Sequence, residues 1–442
     1  MAQVRRMGSL WLCYGAVGLM AGGAGGPALA AQALPDVQEQ LRQVKQQNDA
    51  LQQQLLRQQE MIDELNRKVA TLTSSPTDAA PATSSAPTKG FSLGKVRLSG
   101  EGGAGFFHSQ SEGQFPNSEF RIDEAKLFVE APIWGEVYFF GELNLFSREA
   151  LNDYVMYAGE VFLDVENISR LWNQEGQFNL RLGRFDIPIG EEYLRRDAID
   201  NPLVSHSIMD LWGVDEGVAF YGSFKGKLHY IAAVQNGGSN GTRDFDGDKS
   251  VAVRIGYDPI KPLHLSVSAM RTGELDAADD RTSELWLGSG LIRSLGSAAT
   301  TSFEADVLQG DVELKLATST VRASGGVLRY DDNDPGVNNR REVYYYAVEA
   351  IQRIYRGAYA AARWSQVFAN DGFLIVGNGD RDTFYRSGTL TEDLWLLSLG
   401  LGYRWSDQLV LKAEYSFSHG HLANGGERDD ENLVAALVAF AF

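Results

Sequence analysis

The chain has one cysteine, Cys13, among 442 residues, so no internal disulfide and no cysteine-rich zinc site can form. Basic residues are also scarce, because 40 Lys and Arg stand against 58 Asp and Glu and give a formal charge of −18. A charge of this sign argues against a dedicated nucleic-acid binder. No run of about 18 apolar residues follows the N-terminal segment, which excludes a transmembrane helix there.

Glycine and aromatic residues are abundant instead. There are 47 Gly, 17 Tyr and 22 Phe, against 12 Pro, and hydrophobic residues make up 44% of the chain. The hydrophobic content excludes wholesale disorder. Together, glycine and aromatics indicate a protein of many strands and many turns.

The N-terminus has the form of a secretory signal peptide over residues 1–30. Arg5 and Arg6 precede an apolar, glycine-rich stretch, and Ala28-Leu29-Ala30 is a small-residue cleavage site. The alternative is an uncleaved membrane anchor, but the glycines interrupt the apolar run and shorten it.

A heptad pattern over residues 34–72 predicts a periplasmic coiled coil. Apolar residues from Leu34 to Leu72 alternate at spacings of three and four, with polar Asn48 and Gln58 in the seam to fix register and chain number. The alternative is a surface helix packed on its own domain. Residues 73–90 are rich in Ser, Thr, Pro and Ala and predict a flexible linker.

Residues 91–442 predict an all-β, transmembrane antiparallel barrel of about 16 strands. Segments of about ten residues alternate apolar with polar or small residues, as in Leu263–Ser268 and Leu409–Phe417. A soluble sandwich would alternate in the same way, but three features favour the barrel: the signal peptide, the alternation of short and long connections, and the terminal Phe442. That ending resembles the signal that the barrel-assembly machinery recognises, which makes this machinery an expected partner.

The segment from Gly183 to Gly190 resembles an element of the phosphate-selective porin O and P family. In that family a strand ends in a Gly-x-Phe-x-x-Pro-x-Gly-like element and leads into a long loop, and Gly183, Phe185, Pro188 and Gly190 match this pattern. The resemblance implies a trimer of 16-stranded outer-membrane barrels, each narrowed by a loop that folds inward.

Charged residues of both signs occupy the positions predicted to face the lumen. The predicted pore-lining residues are Arg181, Arg254, Lys315, Arg363, Arg404, Lys412, Glu142 and Glu414. Phosphate selectivity would need a dense ladder of Arg and Lys, because a dianion must lose its water. The mixed signs therefore favour a channel for passive diffusion of small polar or charged solutes.

The segment Asp186–Glu216 is too long for a tight turn and carries many apolar groups, so it is expected to pack against something. Our hypothesis is that it folds into the lumen. Its predicted constriction residues are Glu191, Glu192, Arg195, Arg196, Asp197 and Asp210. The alternatives are an ordinary exterior loop and a latch at a trimer contact.

The sequence predicts no enzyme and no cofactor. Gly100–Gly105 matches a dinucleotide-binding spacing but continues as a strand rather than a helix. We expect a homotrimer in the bacterial outer membrane, in contact with lipid and lipopolysaccharide. The alternative function is a structural anchor, whose coiled coil tethers the membrane to the cell wall or a partner.

Overall fold

The computed structural model describes residues 91–93, 95–146, 156–237, 247–276, 286–287, 290–291, 295, 299–377 and 390–442. The signal peptide predicted for residues 1–30, the coiled coil predicted for 34–72 and the linker predicted for 73–90 lie outside these residues. None of the helices in the described part of the chain is long and apolar enough to cross a membrane.

Sixteen long strands dominate the described residues, and consecutive strands pair in antiparallel fashion. They are β1 (Val96–Ser109), β2 (Glu119–Trp134), β3 (Val137–Phe146), β4 (Tyr157–Val165), β5 (Asn179–Asp186), β6 (Val214–Phe224), β7 (Leu228–Gln235), β8 (Ser250–Ile260), β9 (Leu263–Arg271), β10 (Ser302–Lys315), β11 (Ser319–Asp332), β12 (Arg341–Tyr355), β13 (Ala358–Phe373), β14 (Thr391–Ser406), β15 (Leu409–Leu422) and β16 (Leu433–Ala441).

Strand β16 closes the barrel by pairing with β1. Leu437 lies opposite Gly105 and Ala441 lies opposite Glu101. Beyond that register, Gly100 and Phe442 exchange two backbone hydrogen bonds of 3.1 and 2.9 Å. Closure leaves the sheet without an open edge. The predicted all-β antiparallel barrel of about 16 strands is therefore confirmed.

Side chains alternate between the two faces of the wall, as the pleat requires. Aliphatic residues such as Leu163, Val267 and Leu399 are exposed on the outside. Charged residues such as Arg363 and Glu414 are buried on the inside. This polarity is the reverse of a soluble sandwich, whose apolar face would be the inner one.

Connections differ in length at the two ends of the barrel. One end, called here the short-turn end, has tight connections at residues 135–136, 225–227, 261–262, 316–318, 356–357 and 407–408, and a longer one at 166–178. In the three-residue connection 225–227, Lys225 and Gly226 both have positive φ, 53° and 59°, as the central residues of a type I′ turn do. The opposite end carries longer connections, of which residues 187–213 are described throughout.

The smaller elements lie in these connections or extend the long strands. Two 3₁₀ helices span Ile168–Trp172 and Glu192–Arg195. The short strands are Phe91–Leu93, Leu275–Asp276, Trp286–Leu287, Gly290–Leu291 and Glu427–Arg428. Of these, Trp286–Leu287 and Gly290–Leu291 pair with each other, and the others pair with β1, β10 and β15.

Part of the barrel interior is filled by apolar side chains. Ile187, Ile189, Ile208 and Leu211 come from the connection between β5 and β6 and belong to one buried cluster with the inner faces of β8 to β14. Inward members of that cluster on the strands include Met270, Phe303, Leu328, Tyr330, Tyr345, Val367 and Leu396. The connection at residues 187–213, called here the interior loop, thus packs against the inner surface of the wall.

Candidate functional site: the interior loop and the passage beside it

Glycines at two points let the chain leave β5 and turn toward the interior. Gly183 has a φ of +135°, and a Cβ there would lie 2.4 Å from the carbonyl oxygen of Val161. Gly190 has a φ of +69°, and its Cβ would lie 2.4 Å from the side chain of Gln309. Only glycine fits such positions without strain. The glycines of the sequence motif are therefore explained by two close approaches to the barrel wall.

The first turn of the interior loop is fixed by strands β8 and β9. The Arg254 guanidinium donates to the Gly190 carbonyl oxygen at 3.0 Å, and the Ser268 hydroxyl accepts from the Gly190 amide at 3.0 Å. The Glu191 carboxylate lies 3.7 Å from Arg254 Nε and 3.3 Å from His264 Nε2. Burial alone would raise the pKa of Glu191, but Arg254 and His264 outweigh it and lower that pKa to about 2.

The middle of the interior loop is held by an ammonium group on β15. Lys412 Nζ donates to the carbonyl oxygens of Ala198, Asn201 and Leu203 at 2.6, 2.8 and 2.9 Å. Lysine has three donors and no acceptor. All three N–H groups are therefore used to bind the loop backbone, and the residue is buried in doing so.

Two more buried charges complete the attachment. The Glu414 carboxylate accepts from the amides of Val204 and Ser205 at 2.5 and 2.9 Å and from the Ser205 hydroxyl. Arg363 donates to the Ser205 carbonyl oxygen at 2.7 Å and to the Glu349 carboxylate at 2.5 Å. Hydrogen bonds to ionised groups are roughly twice as strong as neutral ones.

Most of the predicted pore-lining residues therefore contact the interior loop. Arg404 follows the same pattern, because it donates to the Ile199 carbonyl oxygen at 2.9 Å. Lys315 lies apart, at the short-turn end of β10, where its side chain is 65% exposed and 2.6 Å from Glu313. The alternation of side chains along each strand predicts that all of these residues lie on the inner face, but it does not show which of them a loop covers.

Two of the predicted constriction residues, Arg196 and Asp210, bond to each other within the interior loop. Arg196 Nε lies 2.7 Å from the Asp210 carboxylate, and its guanidinium carbon lies 4.2 Å from the centre of the Trp212 ring. The Glu192 carboxylate accepts from the Ser207 amide at 2.9 Å. Arg195 borders a small cleft that Arg322 and Glu349 also line, on the far side of the loop.

A cavity of about 480 Å³ remains between the interior loop and the wall formed by β2 to β6. We call it the passage. It extends from Lys95 and Arg97, near the short-turn end, to Asp186 and Trp212 beside the loop. Its charged lining is Lys95, Arg97, Glu124, Lys126, Glu130, Glu142, Glu160, Asp164, Glu166, Arg181, Asp186, Arg196 and Asp197. The structure brings the predicted residues Glu142, Arg181, Arg196 and Asp197 together here.

Lys126 is the central cation of the passage. Its ammonium group forms an ion pair with Asp197 of the interior loop and lies 3.6 Å from Glu101. The carboxylate oxygens of Glu101, Glu124 and Asp197 lie within 4.8 Å of one another, a spacing that a metal ion could bridge. Because the Lys126 ammonium group already contacts two of these carboxylates, we interpret the cluster as an ion-pair network.

Three phenyl rings form a row along the wall of the passage. The ring centres of Phe128 and Phe140 are 5.9 Å apart, and those of Phe140 and Phe162 are 5.1 Å apart. The guanidinium carbon of Arg181 lies 3.8 Å from the centre of the Phe162 ring, while two of its nitrogens donate to Asp164 at 2.8 Å each. The sequence pattern did not reveal this phenyl row, although each of the three phenylalanines lies on the same strand face as a charged residue two positions away.

Solved structures similar to this barrel are outer-membrane proteins. The outer membrane channel DcaP of Acinetobacter baumannii superposes with a TM-score of 0.54 at 12% identity, covering 80% of this chain and 99% of that chain. OmpT of Vibrio cholerae, as a mutant lacking loop L8, gives 0.52 at 12% identity over 78% of this chain and 99% of that one. OprB of Pseudomonas putida gives 0.51 at 9% identity, over 79% and 94%.

No protein-family model and no curated protein matches the chain. At the identities above, the structural likeness shows a common fold: the chain shares the closed antiparallel barrel of these proteins.

Proposed function

We propose that the chain is an outer-membrane porin, a water-filled channel for passive diffusion of small polar or charged solutes. The observation that carries the proposal is the reversed polarity of the barrel together with the passage left beside the interior loop. A lipid-facing apolar surface and a polar lumen define a transmembrane barrel of this size. The channel described for the structurally similar DcaP supports this role.

The outer surface supports a membrane location. Trp134 and Trp405 lie at the short-turn ends of β2 and β14 and are 82% and 72% exposed, and Tyr355 at the same end of β12 is 66% exposed. Large aromatic side chains exposed at one level match the girdle that transmembrane barrels place at a membrane interface. In the proposed orientation, the short-turn end faces the periplasm.

In this proposal the interior loop is the constriction, and the charged wall residues have two different tasks. Arg254, Arg363, Lys412 and Glu414 position the loop through the contacts described above. Glu142, Arg181, Arg196 and Asp197 line the passage that solutes use. Acids outnumber bases along this passage, so we propose a general porin rather than a phosphate-selective one.

We also propose a homotrimer, with the coiled coil of residues 34–72 in the periplasm and the outer surface in contact with lipid and lipopolysaccharide. OmpT of Vibrio cholerae, which shares the fold, has been solved in a trimer form. The barrel-assembly machinery would recognise the C-terminal Phe442. Deleting residues 34–72 tests the stalk: trimers that persist without it would assign oligomerisation to the barrel.

Liposome swelling and planar-bilayer recording test the function directly. Purified protein should make liposomes permeable to small sugars and amino acids and should produce stepwise conductance increments. Intact, outer-membrane-located protein that gives neither would favour a structural anchor over a channel.

A further inference from the structure

We infer that the passage is selective for organic cations, with carboxylates that hold the charge and the phenyl row that holds the apolar part of the solute. This inference rests on the proposed porin function and assigns the substrate class of the same passage.

Eight carboxylates line the passage, against five cationic side chains. Lys126 forms an ion pair with Asp197 and lies 3.6 Å from Glu101, so this one ammonium group faces a carboxylate cluster that also includes Glu124. Two other lining cations form ion pairs of their own, because Arg181 donates to Asp164 and Arg196 lies 2.7 Å from Asp210. The wall therefore offers an excess of negative charge to a solute.

Neutral donors orient several of these carboxylates without cancelling their charge. The Asn144 side-chain amide donates to Glu142 at 2.8 Å, the Asp186 backbone amide donates to Glu160 at 3.0 Å, and the Ala198 backbone amide donates to Glu124 at 2.5 Å. A fixed, charged acceptor attracts a cation that enters and repels an anion.

The phenyl row lies next to these carboxylates, toward the short-turn end. Phe128 occupies the inward position two residues after Lys126 on β2, Phe140 the one two residues before Glu142 on β3, and Phe162 the one two residues after Glu160 on β4. The face of an aromatic ring attracts cations. The protein uses this property itself, because Arg181 lies over Phe162 at 3.8 Å.

A solute with an ammonium or guanidinium group and an apolar or aromatic part meets both features within about 480 Å³. The carboxylates replace part of the water that the charged group loses, and the phenyl row contacts the rest of the solute. An inorganic cation uses only the first feature, and an anion uses neither.

Reversal potentials in planar bilayers test the charge preference. Across a KCl gradient, the wild-type protein should favour K⁺ over Cl⁻, and the double variant Glu142→Gln, Glu160→Gln should move the permeability ratio toward one. The matched control is Glu342→Gln, which changes an acid that pairs with Arg329 outside the passage and should leave the ratio unchanged.

Current block tests the phenyl row. Benzyltrimethylammonium should block K⁺ current more strongly than tetramethylammonium, and Phe140→Leu should weaken the benzyl block by roughly two- to fivefold while preserving selectivity for K⁺. The control Phe220→Leu alters a ring that is 42% exposed on the outer face of β6 and should have no effect.

The possible failures are distinguishable, provided that heat-modifiable migration on gels shows each variant to be folded. Folded protein without conductance would defeat the porin function and this inference together. A conducting channel that prefers Cl⁻ would overturn the inference and leave the porin function standing. Equal block by the two ammonium probes would overturn the assignment to organic cations.

Discussion

Glu414 and Ser205 lie 209 residues apart in the chain, yet the Glu414 carboxylate accepts hydrogen bonds from both the amide and the hydroxyl of Ser205. The contact joins the inner face of β15 to the interior loop that leaves β5. A buried charge of the wall therefore helps to hold the interior loop in its place beside the passage.

Replacing Glu414 by Gln should loosen the interior loop. The substitution removes the charged acceptor from three donors of the interior loop and from the Ser416 hydroxyl, and it should cost about 1.5–3 kcal/mol. We expect larger and noisier single-channel conductance, together with faster trypsin cleavage of the loop after Arg195 or Arg196. The control Glu427→Gln changes an exposed acid near the end of β15 and should behave as wild type. Unchanged conductance and protease resistance would show that the contact does not hold the loop.

Replacing Lys412 by Met should destabilise the barrel as well as the loop. Three carbonyl oxygens would lose their donor at once, at an expected cost of about 3 kcal/mol. The temperature at which the folded form converts to the unfolded form on gels should fall. Lys315→Met is the matched control, because that side chain is 65% exposed, and it should leave the transition in place.

A methyl group at Gly190 should displace the first turn of the interior loop. The residue has a φ of +69°, and Gln309, against which the Cβ would press, is itself fixed by Tyr345 at 2.8 Å and by Asp311 at 2.9 Å. We expect Gly190→Ala to cost about 1–3 kcal/mol and to change the conductance. Gly247→Ala, whose Cβ would meet nothing within 4 Å, should change neither.

The Glu191 ion pair should persist in moderate acid. Because folding lowers the pKa of this carboxyl to about 2, its contribution to stability is complete above the pKa of the unfolded chain and is lost as the pH falls toward 2. The stability difference between wild type and Glu191→Gln should therefore be constant at neutral pH and shrink as the pH approaches 2. A difference that grows on acidification would contradict this assignment. Denaturant unfolding at a series of pH values measures it.

Strand pattern and loop path differ in how far the sequence reveals them. Alternation over stretches such as Leu409–Phe417 is a local property, so it predicts strands, faces and approximate strand number. The contacts of Lys412 and Glu414 with the interior loop depend on three-dimensional packing across some 210 residues, which no local pattern encodes.

The phenyl row is a second feature that the sequence alone does not reveal. Phe162 alternates with outward Val161 and Leu163 and so shares the inner face with Glu160 and Asp164. Alternation along a single strand therefore predicts only that the Phe162 ring lies inside the barrel. The row of three rings appears only when the register of β2, β3 and β4 sets Phe128, Phe140 and Phe162 side by side.

The passage lies between the interior loop and strands β2 to β6, and cysteine accessibility tests this position, since none of the described residues is a cysteine. Glu142→Cys places a thiol in the passage, whereas Ser398→Cys places one behind the interior loop, where Ser205 and Ser416 now contact the buried hydroxyl. During single-channel recording, a charged methanethiosulfonate reagent should reduce the conductance of the first variant in discrete steps and leave the second unaffected. Block of Ser398→Cys with no effect on Glu142→Cys would instead place the passage on the other side of the interior loop.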